Sequence, residues 1–143
     1  MACILWFKGK NIIIEQVAAA LLAVPYIKWQ QGEPQRFGRH KFFSTSGLGF
    51  VVSEAGFDSF KQQVIDATNF IKVNKNDLFM LGDLAQSLDE GEFYFDFGLH
   101  TRLFSVGVQI DLLPAEFIRL CGDIDASIVL SQYPPSEEEN ELI

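Results

Sequence analysis

Two segments of the chain, residues 92–98 and 104–111, alternate apolar and polar residues with a period of two. Their apolar sides consist of Phe93, Phe95 and Phe97 in the first segment and of Phe104, Val106, Val108 and Ile110 in the second. Strict alternation is typical of antiparallel strands that have one face in the core and the other in water. The pattern predicts an antiparallel pair of half-buried strands, which constrains the architecture strongly and the chemistry very little.

The other segments complete the prediction of an α+β fold. Residues 2–8 are apolar on both sides, which predicts a central strand or an edge strand covered by another subunit. Further strands are predicted at 40–45, 48–53 and 124–130, and helices at 12–23, 57–73 and 114–122. Residues 77–88 are predicted to add a helical turn or two, broken near Gly82. We expect a two-layer domain, residues 1–135, in which two or three helices pack on one face of a mainly antiparallel sheet. An acidic, solvated tail is expected at 136–143.

The charge of the chain is negative and unevenly distributed. The formal net charge is −8, yet residues 1–41 hold six of the eleven Lys and Arg residues and only two of the nineteen acidic ones. A chain this acidic is a poor general binder of nucleic acids, because phosphate contacts require cations. Acidic proteins bind basic partners quickly through electrostatic steering. The charge therefore favours a basic protein partner and argues against nucleic acid.

Cysteine usage and hydropathy point to a cytoplasmic protein. The chain has two cysteines, Cys3 and Cys121, which is too few for a disulfide framework and is typical of reduced, buried thiols. The apolar runs at 2–7 and 12–24 are too short for a signal peptide or a membrane span. We therefore expect neither membrane association nor secretion.

An acid–base site is conceivable at only two histidines, His40 and His100. A turn between the two alternating strands would bring Asp96, His100 and Arg102 together, with Ser105 as a nearby nucleophile. The plainer interpretation is a polar hairpin loop, and no nucleophile elbow accompanies these residues. No metal site or cofactor is predicted, since the histidines and cysteines lack the close spacing of ligand pairs.

The polar side of the predicted sheet is the more promising surface. It would consist of Tyr94, Asp96, Gln109, Asp111, Asp123 and Asp125, with Asp123 and Asp125 on one face of the last strand. Such a face suits a basic partner, although a solvated sheet face explains the same pattern.

Several short motifs from residue 32 onward carry a family resemblance. They are Gly32–Pro34, Ser46–Gly47, Val51–Ser53, Gln63, Asp66, Ala67, Phe70, Asp96–Gly98, Gln109, Leu113–Pro114 and Leu130–Pro134. In these motifs the chain resembles a family of small, uncharacterised bacterial proteins of about this length. The resemblance implies no catalytic residue, and by analogy with small acidic bacterial proteins it suggests an immunity protein that neutralises a toxin.

The function predicted from the sequence is thus a non-enzymatic, cytoplasmic protein-binding module, with an immunity-type inhibitor of a basic partner as its specific form. One alternative is a small-molecule-binding domain or hydrolase with its site near His100. The other is a protein that acts mainly as a homodimer, through residues 2–7 or through surface phenylalanines.

Overall fold

The computed structural model describes residues 2–38 and 40–134. These residues form β1 (Cys3–Gly9), α1 (Ile14–Ala19), β2 (Ile27–Trp29), β3 (Ser46–Ser53), α2 (Phe60–Val73), α3 (Lys75–Ser87), β4 (Glu92–His100), α4 (Ala115–Asp123) and β5 (Ser127–Tyr133). The strands make one sheet in the order β2-β3-β1-β4-β5, in which only the β4–β5 pair is parallel. The α+β class is confirmed, and the predicted acidic tail at 136–143 lies outside the described residues.

Strand β1 is the centre of the sheet. Leu5 lies opposite Phe50 of β3 on one side and opposite Phe95 of β4 on the other. Cys3, Leu5 and Phe7 are buried, whereas the residues between them are half-buried. The two-sided apolarity of this segment therefore marks a central strand, and both of its edges are already paired, so it cannot add a strand from a second copy.

The helices cover one face of the sheet and leave the other open. Phe95 and Phe97 of β4 pack against Phe117 of α4, with ring centroids 5.6 Å from Phe117 in both cases. Buried apolar residues of all four helices belong to the same core cluster as these rings. Side chains at the intervening strand positions, including Trp6, Tyr94 and Asp96, point away from the helices because neighbours along a strand alternate between faces. We call this second surface the open face.

The prediction of a strand at 104–111 is wrong. Residues 101–114 are irregular, and β4 has no edge left for them because β1 and the parallel strand β5 occupy both of its edges. The alternation is real, but its orientation is reversed. Gln109 and Asp111 turn inward to bond Arg102, whereas Val108 and Ile110 are 71% and 80% exposed.

The predicted hairpin around Ser46 and Gly47 is also wrong. Both residues belong to the continuous strand β3, where Gly9 pairs with Ser46 and Lys8 with Gly47. Residues 40–45 contribute only an isolated bridge between Pro34 and Phe42. Gly47 serves packing instead of turning, since a β-carbon there would lie 2.6 Å from Cη2 of Trp29.

Helix α1 is shorter than the predicted 12–23 because of a distant side chain. The carboxylate of Asp77 accepts hydrogen bonds from the backbone N–H groups of Leu22 and Ala23, at 3.0 and 2.8 Å. Those bonds hold the chain in a turn after Ala19 and prevent another helical turn. Helix α3, predicted to break near Gly82, is continuous, and the glycine lies in contact with the backbone of Ile124.

The connection between α4 and β5 differs from the prediction in its details. Gly122 remains inside α4, and the left-handed residue that ends the helix is Asp125, with φ 56°. The N–H of Ala126 bonds the carbonyl of Cys121 and the N–H of Asp125 bonds that of Gly122, which together make a Schellman motif. The last strand consequently begins at Ser127, and Asp123 and Asp125 do not share a strand face as predicted.

Candidate functional site

A concave site lies at the end of the β4–β5 pair, between side chains of the open face and Ala85 and Gln86 of α3. The cavity has a volume of about 480 Å³. Its lining residues are Ala85, Gln86, Gly91, Glu92, Phe93, Tyr94, Asp96, Asp125, Ser127 and Val129. Three carboxylates are among them, and no Lys or Arg is. We call this site the acidic cleft.

Strand geometry explains how the cleft is built. Glu92, Tyr94 and Asp96 are two residues apart on β4 and therefore share the open face. Asp96 accepts a hydrogen bond from Ser131 Oγ of the neighbouring strand, at 2.6 Å. The hydroxyl oxygen of Tyr94 accepts one from Lys8 Nζ of β1, at 2.9 Å. Both side chains are thus held in place from the strands beside them.

The predicted binding residues divide into two groups. Tyr94, Asp96 and Asp125, which were predicted to share one surface, all line the acidic cleft. Gln109 and Asp111 lie in the irregular segment 101–114, where they bond Arg102 and each other. Glu92 also lines the cleft and was not predicted from the sequence. Its position two residues before Tyr94 could have indicated it.

The remaining predicted residue, Asp123, is exposed at the last position of α4 and does not line the cleft. It was predicted to be a strand residue because residues 123–130 alternate, but the strand begins only at Ser127. The helix end thus separates it from Asp125.

The carboxyl group of Asp111 has a lowered pKa. Burial raises the pKa of Asp111, but the hydrogen bonds from Gln109 and Arg102 and the positive charge of Arg102 outweigh burial and hold it below its usual value. The Arg102 guanidinium lies 3.0 Å from the carboxylate. This ion pair closes the base of segment 101–114, which is a structural role.

The predicted catalytic residues do not converge as the turn model required. Asp96 and His100 lie four residues apart along the continuous strand β4, which corresponds to about 13 Å. His100 stacks on Phe57 with a centroid distance of 5.1 Å, and Arg102 pairs with Asp111. Ser105 Oγ donates to the backbone carbonyl of Arg102. The strand extends through His100 because β5 pairs with it as far as Tyr133.

A second cavity, of about 460 Å³, lies at the β2 edge of the open face. Trp6, Trp29 and Phe43 form its aromatic walls, and Lys8 and Arg36 are among its lining residues. Trp6 and Trp29 meet edge to face at 5.9 Å, and Trp29 stacks on Phe43 at 5.5 Å. We call it the aromatic cleft. Sequence reasoning missed it, although both tryptophans of the chain occupy strand positions.

The two cysteines, Cys3 and Cys121, are buried free thiols. Burial raises the pKa of the Cys121 thiol to about 12. For Cys3, burial and then the nearby charge of Asp96 raise the pKa further. Within residues 2–38 and 40–134, no group of three or more His, Cys, Asp or Glu side chains is arranged to hold a metal ion.

Comparisons of the chain with protein-family models, with curated proteins and with solved structures found no match. The resemblance to a family of small bacterial proteins stays a prediction from the sequence. In the part of the chain that the structure describes, no helix combines the length and apolarity needed to cross a bilayer.

Proposed function

We propose that this protein is a non-enzymatic binding module that holds a basic segment of a partner protein in the acidic cleft. The observation that carries the proposal is the gathering of Glu92, Asp96 and Asp125 around one cavity whose lining residues include no Lys or Arg. A Lys or Arg side chain has an apolar stem and a cationic head. Val129 suits the stem and the carboxylates suit the head, while the Tyr94 ring is already in contact with Lys8.

The backbone at Asp125 supports the same proposal. Its φ of 56° places it in the left-handed region, where glycine is the residue that ends most Schellman motifs. A non-glycine residue there costs about 1 kcal/mol, and Asp is among the few that tolerate it. The chain therefore carries a carboxylate at the rim of the cleft in a position where a neutral glycine would be more stable.

In its specific form, the proposal is an immunity-type inhibitor that acts on a basic partner in the cytoplasm. A net charge of −8 attracts such a partner over distances longer than a contact, so encounter is accelerated at low salt. The short-range carboxylates of the cleft then select the orientation in which the basic segment enters.

The test compares two double variants that have the same net charge. Glu92→Gln with Asp125→Gly neutralises the cleft, and Glu54→Gln with Asp58→Asn neutralises two exposed carboxylates outside it. Asp96 is left intact because it accepts the Ser131 hydrogen bond. Each purified variant serves as bait in lysate of the native host, and captured proteins are quantified by mass spectrometry at low and high salt.

We expect one basic protein to be captured by the parent and by the control variant and lost by the cleft variant. With the isolated partner, the affinity of the cleft variant should fall roughly 2- to 30-fold, as expected for two exposed charge pairs. Asp125→Gly should also raise thermal stability, so weaker binding cannot come from unfolding. Equal capture by both double variants, or no basic partner at all, would contradict the proposal.

A further inference from the structure

The aromatic cleft has the size and the lining of a small-molecule site. Its volume of about 460 Å³ falls within the range of ligand pockets, roughly 300–1,000 Å³. It lies on the open face and extends from the β2 edge of the sheet to β1, the strand next to β4. Its lining residues are Trp6, Lys8, Ile27, Lys28, Trp29, Glu33, Pro34, Gln35, Arg36, Phe43, Ser44 and Thr45.

Two glycines of β3 preform the aromatic surface. A β-carbon at Gly47 would lie 2.6 Å from Cη2 of Trp29, and one at Gly49 would lie 2.7 Å from Cζ3 of Trp6. The indole rings therefore rest directly on the backbone of the strand, and no side chain fills the space under them. Rings held in this way present flat, half-exposed surfaces without a large loss of side-chain entropy on binding.

The cleft is cationic in a chain that is otherwise acidic. Lys8 Nζ lies 5.8 Å from the Trp6 ring centroid, fixed there by its hydrogen bond to Tyr94. Arg36 is exposed at the rim. Lys28 also lines the cleft but pairs with Glu15, and Glu33 is the one acidic residue of the lining. Lys8 and Arg36 are thus the cations available to a ligand.

We propose that the aromatic cleft binds a small planar aromatic anion. The ring of the ligand stacks on Trp6 and meets Trp29 edge-on, because the two indole planes are inclined by 63°, and its carboxylate or phosphate group is bound by Lys8 and Arg36. Neither half of the ligand suffices alone, because the cations are solvent-accessible and single exposed charge pairs are weak. The site has a different lining and a different ligand from the acidic cleft, and the two meet where Lys8 donates its hydrogen bond to Tyr94.

The chain contains a built-in reporter for this cleft. Its two tryptophans are Trp6 and Trp29, so the ¹H–¹⁵N spectrum of the labelled protein has two indole N–H signals, and both come from the walls of the cleft. The probes are naphthalene-2-carboxylate and adenosine monophosphate, which carry a carboxylate and a phosphate. Their neutral counterparts, 2-naphthylmethanol and adenosine, share the rings without the charge.

We expect at least one anionic probe to shift both indole signals saturably and to bind about tenfold more tightly than its neutral counterpart. The probe that does so identifies the acidic group as carboxylate or phosphate. Lys8→Gln and, as a second variant in an exposed loop, Arg36→Gln should each weaken binding about threefold, half of the tenfold charge effect in free-energy terms. Lys75→Gln is the matched control, because Lys75 also lies over an aromatic ring, Phe79, but on α3.

Three results would overturn the proposal. Unchanged indole signals with both anions mean that the cleft binds neither class. Equal affinity for charged and neutral probes means that the cations take no part. Equal weakening by Lys75→Gln and by the two cleft variants means that only the overall charge matters. None of these results bears on the acidic cleft, whose test uses a protein partner.

Discussion

Two glycines in helix interiors provide a sharp test of how the helices pack, because the same substitution should have opposite effects at the two positions. Gly82 lies in the middle of α3 and is buried, whereas Gly122 lies near the end of α4 and is exposed. In an unobstructed helix, Gly→Ala stabilises by up to about 1 kcal/mol. Any difference between the two sites must therefore come from their surroundings.

The surroundings of the two glycines could hardly differ more. At Gly82 an added methyl group would overlap the carbonyl oxygen of Ile124 and lie 2.9 Å from its carbonyl carbon. These are backbone atoms, so relief requires a shift of α3 or of the turn that precedes β5, and overpacking of this kind costs about 1–3 kcal/mol. At Gly122 no heavy atom lies within 4 Å of the added carbon.

We expect Gly82→Ala to lower the free energy of unfolding by about 2 kcal/mol, taking the upper part of that range minus the gain in helix propensity. Gly122→Ala should raise it by about 0.5 kcal/mol, because the position is close to the helix end. Urea unfolding followed by far-ultraviolet circular dichroism measures both. If Gly82→Ala were as stable as the parent, α3 could not lie against the α4–β5 turn as described.

Two further predictions concern titratable groups. Because the folded-state pKa of Asp111 is lowered, its contribution to stability is present above the ordinary value of 3.8 and is lost as the pH falls through the folded-state pKa. Asp111→Asn should therefore lower the urea midpoint at pH 7, and the difference should shrink as the pH falls below 3.8. A difference that does not shrink in acid would show that the carboxylate charge is not what stabilises the fold. The thiols of Cys3 and Cys121, whose pKa values are raised by burial, should not react with Ellman's reagent in native buffer at pH 7. Both should react in denaturant, and a thiol that reacts rapidly in the native protein would show that its helix or strand opens.

Local sequence patterns predicted an element correctly where its own apolar face determines its structure. The period of two over β4 and the period of three to four over α2 predicted those elements correctly, because each presents a single apolar face. The two-sided apolarity of residues 2–8 predicted either a central strand or a covered edge strand, and pairing on both edges identifies β1 as central. The class of fold follows from these elements.

The incorrect predictions share a cause, which is that contacts with distant parts of the chain determine the structure of those segments. Residues 104–111 alternate like a strand, but β5 occupies the edge of β4 that they would need. Helix α1 ends early because Asp77 captures backbone N–H groups after it. Gly47 looked like a turn residue, and only the position of Trp29 reveals its role.

The candidate site was predicted in part for the same reason. Tyr94 and Asp96 were placed correctly because their face follows from the strand period alone. Asp125 lines the acidic cleft as predicted, but it belongs to the end of α4 and not to a strand. Gln109 and Asp111 do not line the cleft, because their segment does not pair with β4 as predicted.

The central position of β1 also determines when the protein can fold during its synthesis. Strand β1 leaves the ribosome before β4, with which it pairs, so that Cys3 meets Phe97 only after more than ninety further residues have been added. Until then the nascent chain can assemble β1, β2 and β3, with the apolar edge of β1 unpaired and open to other chains. Contacts this distant in sequence slow folding and prolong the exposure. The unpaired edge of β1 is therefore the place where we expect the nascent chain to aggregate.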